Sequence, residues 1–237
     1  MSLQGKKVFV IGGSSGIGLA TAQLANAAGA TVVIGGRTPE KLDAAAKSFD
    51  DSTETVVLDV TSDDSVAAAF DTVGAVDHVV VTPPGAVFGK VRDLAVADAQ
   101  AALNAKFWGA FRVAKFATIN EGGSLTLVSG QMARRPRPEL LTGAVANAAI
   151  DVLGKGLAVE LAPIRVNTVS PGIIDTALHA RLPDDQRIAM FKSSAERLPV
   201  GRVGQPEDIG SMILQVMQNG FLTGAVIEID GGAMALL

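Results

Sequence analysis

The chain has 237 residues, of which 48% are hydrophobic and 19% charged, and its formal net charge is −4. This length fits one large α/β domain or two small ones, and the composition is that of a well-buried globular protein and not of a disordered one. The absence of a long basic stretch argues against a nucleic-acid partner, and the absence of cysteine excludes disulfides and thiolate metal sites.

The most apolar long segment, residues 140–164, is interrupted by Asp151, Lys155 and Glu160, so we do not expect it to span a membrane. Residues 1–7 lack the apolar core of a signal peptide. We therefore expect a cytoplasmic protein with no membrane partner and no metal site.

Short runs rich in valine and isoleucine alternate with segments of helical periodicity along the chain. The runs predict seven strands, over residues 8–11, 30–35, 55–60, 77–81, 124–128, 164–169 and 224–229. Helices are predicted to follow Gly18 and to cover residues 39–49, 63–73, 97–119 and 143–161. The strands have no polar face, which favours a doubly wound α/β fold: a mostly parallel sheet with helices on both faces. No linker or repeat divides the chain, so we expect a single domain over residues 1–237.

A glycine-rich turn joins the first strand to the first helix. Its glycines have the spacing Gly-x-x-x-Gly-x-Gly, a variant of the dinucleotide-binding fingerprint. In this interpretation Gly12 allows the tight turn, Gly16 lets the backbone approach a pyrophosphate, and Gly18 lets helix and strand pack closely. A purely structural glycine turn has the same composition, so the motif alone does not decide.

Other turns strengthen the dinucleotide interpretation, because they fall at the same predicted edge of the sheet, where ligands bind. They contain Arg37, Asp59, Thr82, Ser129 and Pro171. At the end of the second strand, Gly36 and Arg37 stand where NAD-binding proteins have an acidic residue. A guanidinium pairs with a 2′-phosphate, so Arg37 favours NADP; the alternative is a solvated loop charge.

The chain resembles the short-chain dehydrogenase/reductase family over nearly its whole length. Residues 12–18 are similar to the family's cofactor loop, with Ile11 where a threonine is usual. Matching segments follow in the right order at residues 59–60, 167–176, 201–209 and 223–232. The resemblance implies a Rossmann-like NADP(H)-binding domain with a substrate lid at about residues 177–200. It also implies a homodimer or homotetramer formed through the helices at about 97–119 and 143–161.

The family's motifs extend the predicted cofactor site. They place the adenine beside Asp59 and Val60, and the nicotinamide amide beside the segment around residues 171–176. The turn at residues 82–85 replaces the family's usual Asn-Asn-Ala-Gly. The cofactor residues predicted in this way are Gly12, Ser14, Ser15, Gly16, Ile17, Gly18, Arg37, Thr38, Asp59, Val60, Thr82, Pro83, Pro84, Pro171, Gly172, Ile174 and Thr176.

The chain departs from the family at the catalytic residues, since it contains no tyrosine at all. Alignment with the family's Tyr-x-x-x-Lys motif puts Gly143 at the tyrosine and Asn147 at the lysine. The family's catalytic serine falls on Gly130, directly after Ser129, and its asparagine falls on Lys106. The resemblance therefore implies cofactor binding more firmly than it implies the usual acid–base chemistry.

Three residues are candidates for that chemistry. A Lys106 ammonium buried beside the positive nicotinamide would have a lowered pKa and supply the proton; the alternative is an exposed helical lysine. Ser129 either donates a hydrogen bond to the substrate oxygen or merely ends its strand. Asn147 either binds the nicotinamide ribose or holds a proton-relaying water, because a polar side chain among alanines needs a partner if it is buried.

The remaining charged candidates are less specific. His179, in the lid segment, is either an acid near neutral pH or a surface histidine, and His78 at a strand start is expected to be structural. Arg134, Arg135 and Arg137 follow the fifth strand, where they either bind an anionic group of the substrate or remain solvated.

The helix at residues 142–156 carries a stripe of small residues, which either meets another subunit, as in the family, or packs on its own sheet.

We expect an NADP(H)-dependent oxidoreductase acting on a small carbonyl or alcohol. The alternatives are a non-catalytic NADP(H)-binding protein and a reductase of C=N or C=C bonds.

Overall fold

The computed structural model describes residues 3–49, 53–82, 87–180 and 182–236. Within them, seven strands form one sheet with the order β3-β2-β1-β4-β5-β6-β7. The strands are β1 Lys7–Ile11, β2 Thr31–Gly36, β3 Glu54–Val57, β4 Val76–Val81, β5 Ile119–Val128, β6 Arg165–Pro171 and β7 Val226–Ile229. All neighbouring strands run parallel, so the predicted α/β fold is confirmed and the sheet described here contains no antiparallel pair.

Helices cover both faces of this sheet. They are α1 Gly16–Ala27, α2 Pro39–Ala46, α3 Asp63–Val73, α4 Val96–Leu103, α5 Gly109–Phe116, α6 Leu141–Glu160, α7 Asp184–Arg197 and α8 Pro206–Gln218. Successive strand residues point to opposite faces. Phe9 and Ile11 therefore pack with α3, α5 and α6, whereas Val8 and Val10 pack with α1, α2 and α8.

The prediction of a single long helix over residues 97–119 is wrong in two respects. A π-helical segment, Asn104–Trp108, separates α4 from α5, and the backbone is already extended at Ala117. The π segment covers only five residues, which is too short for periodicity to reveal it. Short π segments of this kind are frequent at functional sites.

The third predicted strand also ends earlier, at Val57 instead of residue 60. The Asp59 carboxylate accepts hydrogen bonds from the backbone N–H of Thr61 at 2.9 Å and from its hydroxyl at 2.8 Å. Such a local bond turns the backbone out of the sheet. As a result Asp59 and Val60 lie beyond the strand end.

The C-terminal third contains two helices that the periodicity did not predict. Much of the predicted lid segment is helical: a 3₁₀ turn at Ala177–His179 precedes α7. Helix α8 begins with a capping box between Gln205 and Asp208 and with Pro206 in its first turn, a recognisable start signal. Lid motion and the single-domain organisation stay predictions.

None of the helices in the described ranges is both long and apolar enough to cross a bilayer. The cytoplasmic location stays a prediction.

Candidate functional site

A cleft of about 700 Å³ runs along the edge where the parallel strands end. This volume lies in the range typical of small-molecule and cofactor sites. The predicted cofactor residues that line it are Gly12, Ser14, Ser15, Gly16, Ile17, Gly18, Arg37, Thr38, Asp59, Val60, Thr82, Pro171, Gly172, Ile174 and Thr176. The other two, Pro83 and Pro84, lie outside the described residues. The tertiary structure therefore brings together residues that the sequence places far apart.

Two glycines make the close turn before α1 possible. Gly12 has a φ of +86°, and a β-carbon on it would collide with the backbone carbonyl of Thr82. A β-carbon on Gly18 would collide with the carbonyl oxygen of Gly12. The helix can therefore start against the strand end, as the motif predicted.

The start of α1 fits a pyrophosphate. A helix N-terminus presents free backbone N–H groups and the positive end of the helix dipole. Its first turn contains no acidic residue, and the Ser15 side chain makes no capping hydrogen bond to the helix. Both features leave the amide groups available to an anion, so these residues fit the phosphates of a dinucleotide.

The end of the cleft beside β2 carries positive charge. Arg37 and Thr38 line it, and so does Lys41, which the sequence analysis missed. The signal for Lys41 is its position four residues after Arg37, in the first turn of α2, which places it near the same strand end. At Asp59 the hydrogen bond from the Thr61 backbone lowers the pKa of the carboxyl against the opposing effect of burial, and Arg37 adds to the lowering.

Lys106 enters the cleft from the π segment. Its Nζ donates a hydrogen bond to the carbonyl oxygen of Ser129 at 3.2 Å, and the residue is half-buried. Burial lowers the pKa of Lys106 to about 8, although the charge of Asp151 acts in the opposite direction. Lys106 is thus a lysine on the cleft wall and not a solvated one.

Ser129 and Asn147 lie in the same cleft and are almost fully buried, with 6% and 2% of their surface exposed. Ser129 Oγ and Asn147 Oδ1 have no hydrogen-bond partner within the described part of the chain. A β-carbon on Gly130 would lie 2.8 Å from Asn147 Nδ2, so the missing side chain at 130 leaves room for the Asn147 amide. A buried polar group without a partner costs about 1–3 kcal/mol, which points to a bound ligand as the missing partner.

The arginine cluster is only partly in the cleft. Arg135 and Arg137 line it, and Arg135 Nη1 donates to the carbonyl oxygen of Ala233 at 3.2 Å. Arg134 does not line the cleft; its Nε lies 2.8 Å from Glu228 and its Nη1 3.5 Å from Asp151. These two carboxylates pair with Arg134 while the residue stays exposed, which agrees with the solvated alternative.

The two histidines differ in position. His179 lines the cleft and packs edge-on against Phe191, with 5.3 Å between the ring centroids. His78 is buried in β4, where its Nδ1 lies 2.8 Å from Ser124 Oγ. Burial, aided by the charge of Arg165, lowers the pKa of His78 to about 4. His78 is therefore neutral near pH 7 and lies outside the cleft lining.

Gln131 is a second cleft residue that the sequence analysis missed. It follows Gly130 at the start of a 3₁₀ turn, Gln131–Ala133, and its Oε1 is buried without a hydrogen-bond partner among the described residues. The available signal was its position two residues after Ser129, at the same strand end.

Comparison with known proteins decides the family. A family model described as enoyl-(acyl carrier protein) reductase matches residues 12–234. The chain belongs to the short-chain dehydrogenase/reductase family. A solved small-chain dehydrogenase in complex with NADPH is 36% identical and superposes with a TM-score of 0.84, over 98% of this chain and 100% of the other.

Among curated members of the short-chain dehydrogenase/reductase family, the 3-oxoacyl-[acyl-carrier-protein] reductase FabG of Thermotoga maritima is 32% identical, over 98% of this chain and 99% of its own length. A Caenorhabditis elegans protein named for 2,4-dienoyl-CoA reduction is 31% identical, over 98% of this chain and 81% of its own. The chain is an oxidoreductase of this family.

Proposed function

We propose that this protein is an NADP(H)-dependent oxidoreductase that moves a hydride to or from a small carbonyl or alcohol substrate. It is an atypical family member, because Gly143 and Asn147 stand where the family has its tyrosine and lysine, and Lys106 supplies the proton. The observation that carries the proposal is the Lys106 amine in the cleft wall, 3.2 Å from the Ser129 carbonyl oxygen and with a pKa of about 8.

The cofactor assignment rests on the residues along the cleft. The amide groups at the start of α1 would hold the pyrophosphate, and Arg37 and Lys41 would hold a 2′-phosphate. The segment from Pro171 to Thr176 would bind the nicotinamide amide through its backbone. Asn147 Oδ1 would accept a hydrogen bond from a ribose hydroxyl, which provides its missing partner. The relative solved with NADPH supports this choice.

The chemistry then divides simply among the residues. NADPH, when bound, would supply the hydride for the carbonyl carbon. Lys106 donates a proton to the carbonyl oxygen, Ser129 Oγ donates a hydrogen bond to the same oxygen, and the product is the alcohol. In the reverse direction the neutral Lys106 amine accepts the alcohol proton. A proton donor works best when its pKa lies near the working pH, which a lysine with its ordinary pKa of 10.5 does not satisfy.

Reduction of a conjugated C=C bond, or of a C=N bond, is a second candidate. A phenol proton donor matters less there, and the chain has no tyrosine. The matching family model and the Caenorhabditis elegans relative both carry names of enoyl or dienoyl reduction. In the reduction of an enone, Lys106 and Ser129 would stabilise the enolate oxygen and not protonate an alkoxide.

The central experiment replaces Lys106 by methionine. We expect kcat for ketone reduction to fall by about 10²- to 10⁴-fold, the usual contribution of a positioned acid, while NADPH binding, measured by fluorescence, is retained. The matched control is Lys115→Met on α5, because Lys115 is exposed and pairs with Asp63.

Assays of the unsubstituted protein with ketones, enones and imines separate the candidates. Turnover of enones alone would favour the second candidate. Tight NADPH binding without turnover of any substrate in the panel would favour the non-catalytic alternative. Full ketone reduction by the Lys106→Met variant would contradict the proton-donor role.

We also propose that the protein forms a homodimer or homotetramer through α5 and α6. The outer face of α6 presents Val145, Val152 and Val159, seven residues apart and 50%, 71% and 81% exposed. Between them lie Ala148, Ala149 and Gly156, and the exposed Lys155 borders this mainly apolar face. The opposite face of α6 is buried on the sheet, and a helix that is apolar on both sides is typically enclosed by protein. A second copy of the same valine row is a complementary partner.

A further inference from the structure

Three buried side-chain oxygens on the described cleft wall have no hydrogen-bond partner: Ser129 Oγ, Asn147 Oδ1 and Gln131 Oε1. The proposed function uses the first two, for the reacting oxygen and the cofactor ribose. It gives no role to Gln131. Since an amide oxygen only accepts hydrogen bonds, only a donor can satisfy it.

The backbone around Gln131 is firmly held. Its carbonyl oxygen accepts from the N–H groups of Arg134 and Arg135, both at 3.1 Å, and the N–H of Ala133 donates to Gly130 at 3.0 Å. The side chain therefore starts from a defined place, two residues beyond Ser129, whose carbonyl oxygen holds the Lys106 amine. Gln131 thus lies close along the chain to Ser129, and it lines the same cleft as Lys106.

We infer that Gln131 is a specificity residue whose amide oxygen accepts a hydrogen bond from a hydroxyl next to the reacting carbonyl, so that the substrate class is α-hydroxy ketones. This inference rests on the proposed oxidoreductase function. A simple ketone leaves the Gln131 oxygen buried and unpaired, and sites built to bind a hydroxyl discriminate strongly against analogues that lack it.

The test compares substrate pairs that differ only in that hydroxyl. The pairs are 3-hydroxybutan-2-one with butan-2-one, and 2-hydroxycyclohexanone with cyclohexanone, each reduced with NADPH. We expect kcat/KM to favour the hydroxy ketone by about tenfold, the effect of one net hydrogen bond. In Gln131→Met this ratio falls to about one through a loss on the hydroxy ketone alone. Gln131→Glu, which keeps an acceptor, retains the preference.

Gln215→Met is the matched control, since Gln215 is exposed on α8 and is not among the residues of the cleft wall. It should leave the ratio unchanged. A wild-type ratio near one, or a Gln131→Met variant that loses both substrates equally, would overturn the inference. Because Gln131 Oε1 makes no hydrogen bond to the described protein, the variant is expected to fold, which thermal denaturation checks; Gln131→Leu serves as a second apolar variant.

A binding measurement separates this inference from the proposed function. If neither ketone of a pair is reduced, the oxidoreductase proposal fails. Calorimetric titration of the NADP⁺-loaded protein with butane-2,3-diol and butan-2-ol still tests whether Gln131 binds the second hydroxyl. Tighter binding of the diol that disappears in Gln131→Met supports the specificity role. Equal affinities for the two alcohols would refute it.

Discussion

Lys106 shows how the surroundings of one residue change its chemistry. An exposed lysine is fully charged at neutral pH and a poor proton donor. In the cleft, burial lowers the pKa of Lys106 to about 8, and the Asp151 charge limits that lowering. A pKa near physiological pH is the property that the proposed role of Lys106 as proton donor requires.

The pH dependence of turnover tests this property. Reduction needs the protonated amine, so kcat/KM should fall about tenfold per pH unit above roughly pH 8, whereas alcohol oxidation should fall below that pH. Asp151→Asn removes a charge that favours the ammonium and should move both limbs to lower pH. Rate profiles with a non-ionising ketone measure this. A profile that is flat from pH 7 to pH 10 would contradict the assignment.

Arg37 and Lys41 test the cofactor choice at the same scale. Arg37→Ser and Lys41→Ser should each weaken NADPH binding by about tenfold or more and leave NADH binding unchanged, because NADPH carries the 2′-phosphate and NADH does not. Fluorescence titration with both cofactors gives the two affinities. Arg92→Ser, at an exposed arginine outside the cleft lining, is the control. Equal losses for both cofactors would mean that the arginine and lysine only support the loop.

At the scale of the element, the π segment between α4 and α5 is the deciding feature. Its extra residue per turn changes the direction of the side chains, and Lys106 projects from it into the cleft. Helix α6 contributes in a regular way, since Gly143 and Asn147 are one turn apart on its buried face. The positions of Gly143 and Asn147 are thus predictable from helical geometry, whereas the position of Lys106 is not.

The pairing of β4 with β5 should make stability depend on pH through His78. The pKa of His78 is about 4 in the folded chain, against 6.5 when unfolded, so the unfolded state binds more protons between these values. The free energy of unfolding should therefore fall as the pH drops from 6.5 to 4, by up to about 3 kcal/mol.

Urea unfolding at several pH values measures this effect. His78→Asn keeps a hydrogen-bonding group beside Ser124 but does not titrate. The free energy of unfolding of this variant should therefore fall less over the same pH interval. Parallel pH dependences of the variant and the unsubstituted protein would show that His78 is not the cause.

At the scale of the whole molecule, the outer face of α6 argues for assembly. Both core clusters are already covered by helices, yet a row of valines remains exposed on α6, with Trp108 and Phe111 exposed near α5. Burial of these valines and aromatic rings against a second copy removes apolar area from water.

A charge placed in this surface should break the assembly. Val152→Glu is expected to shift the protein from a dimer or tetramer to a monomer, because a buried unpaired carboxylate is costly. Sedimentation velocity at micromolar concentration measures the change. Val57→Glu, at an exposed valine on the edge strand β3, should keep the native state of assembly. A monomeric unsubstituted protein would contradict the proposal directly.

Local features of this chain were predictable from the sequence because they depend on neighbouring residues. The valine-rich runs predicted the seven strands, and the glycine spacing predicted the turn that Gly12 and Gly18 form. The family motifs predicted which turns line one cleft. The start of α8 was missed although Gln205, Pro206 and Asp208 carry a local signal for it.

The sequence by itself determined the parallel α/β fold, the glycine-rich turn and the absence of a tyrosine, since each follows from residue identity or short-range periodicity. Only the tertiary structure decided which distant polar groups meet: Lys106 with Ser129, Asn147 over Gly130, and Arg134 with Asp151 and Glu228. These contacts depend on strand register, on one π turn and on side-chain direction. None of these three contacts can be recognised from the periodicity of the sequence.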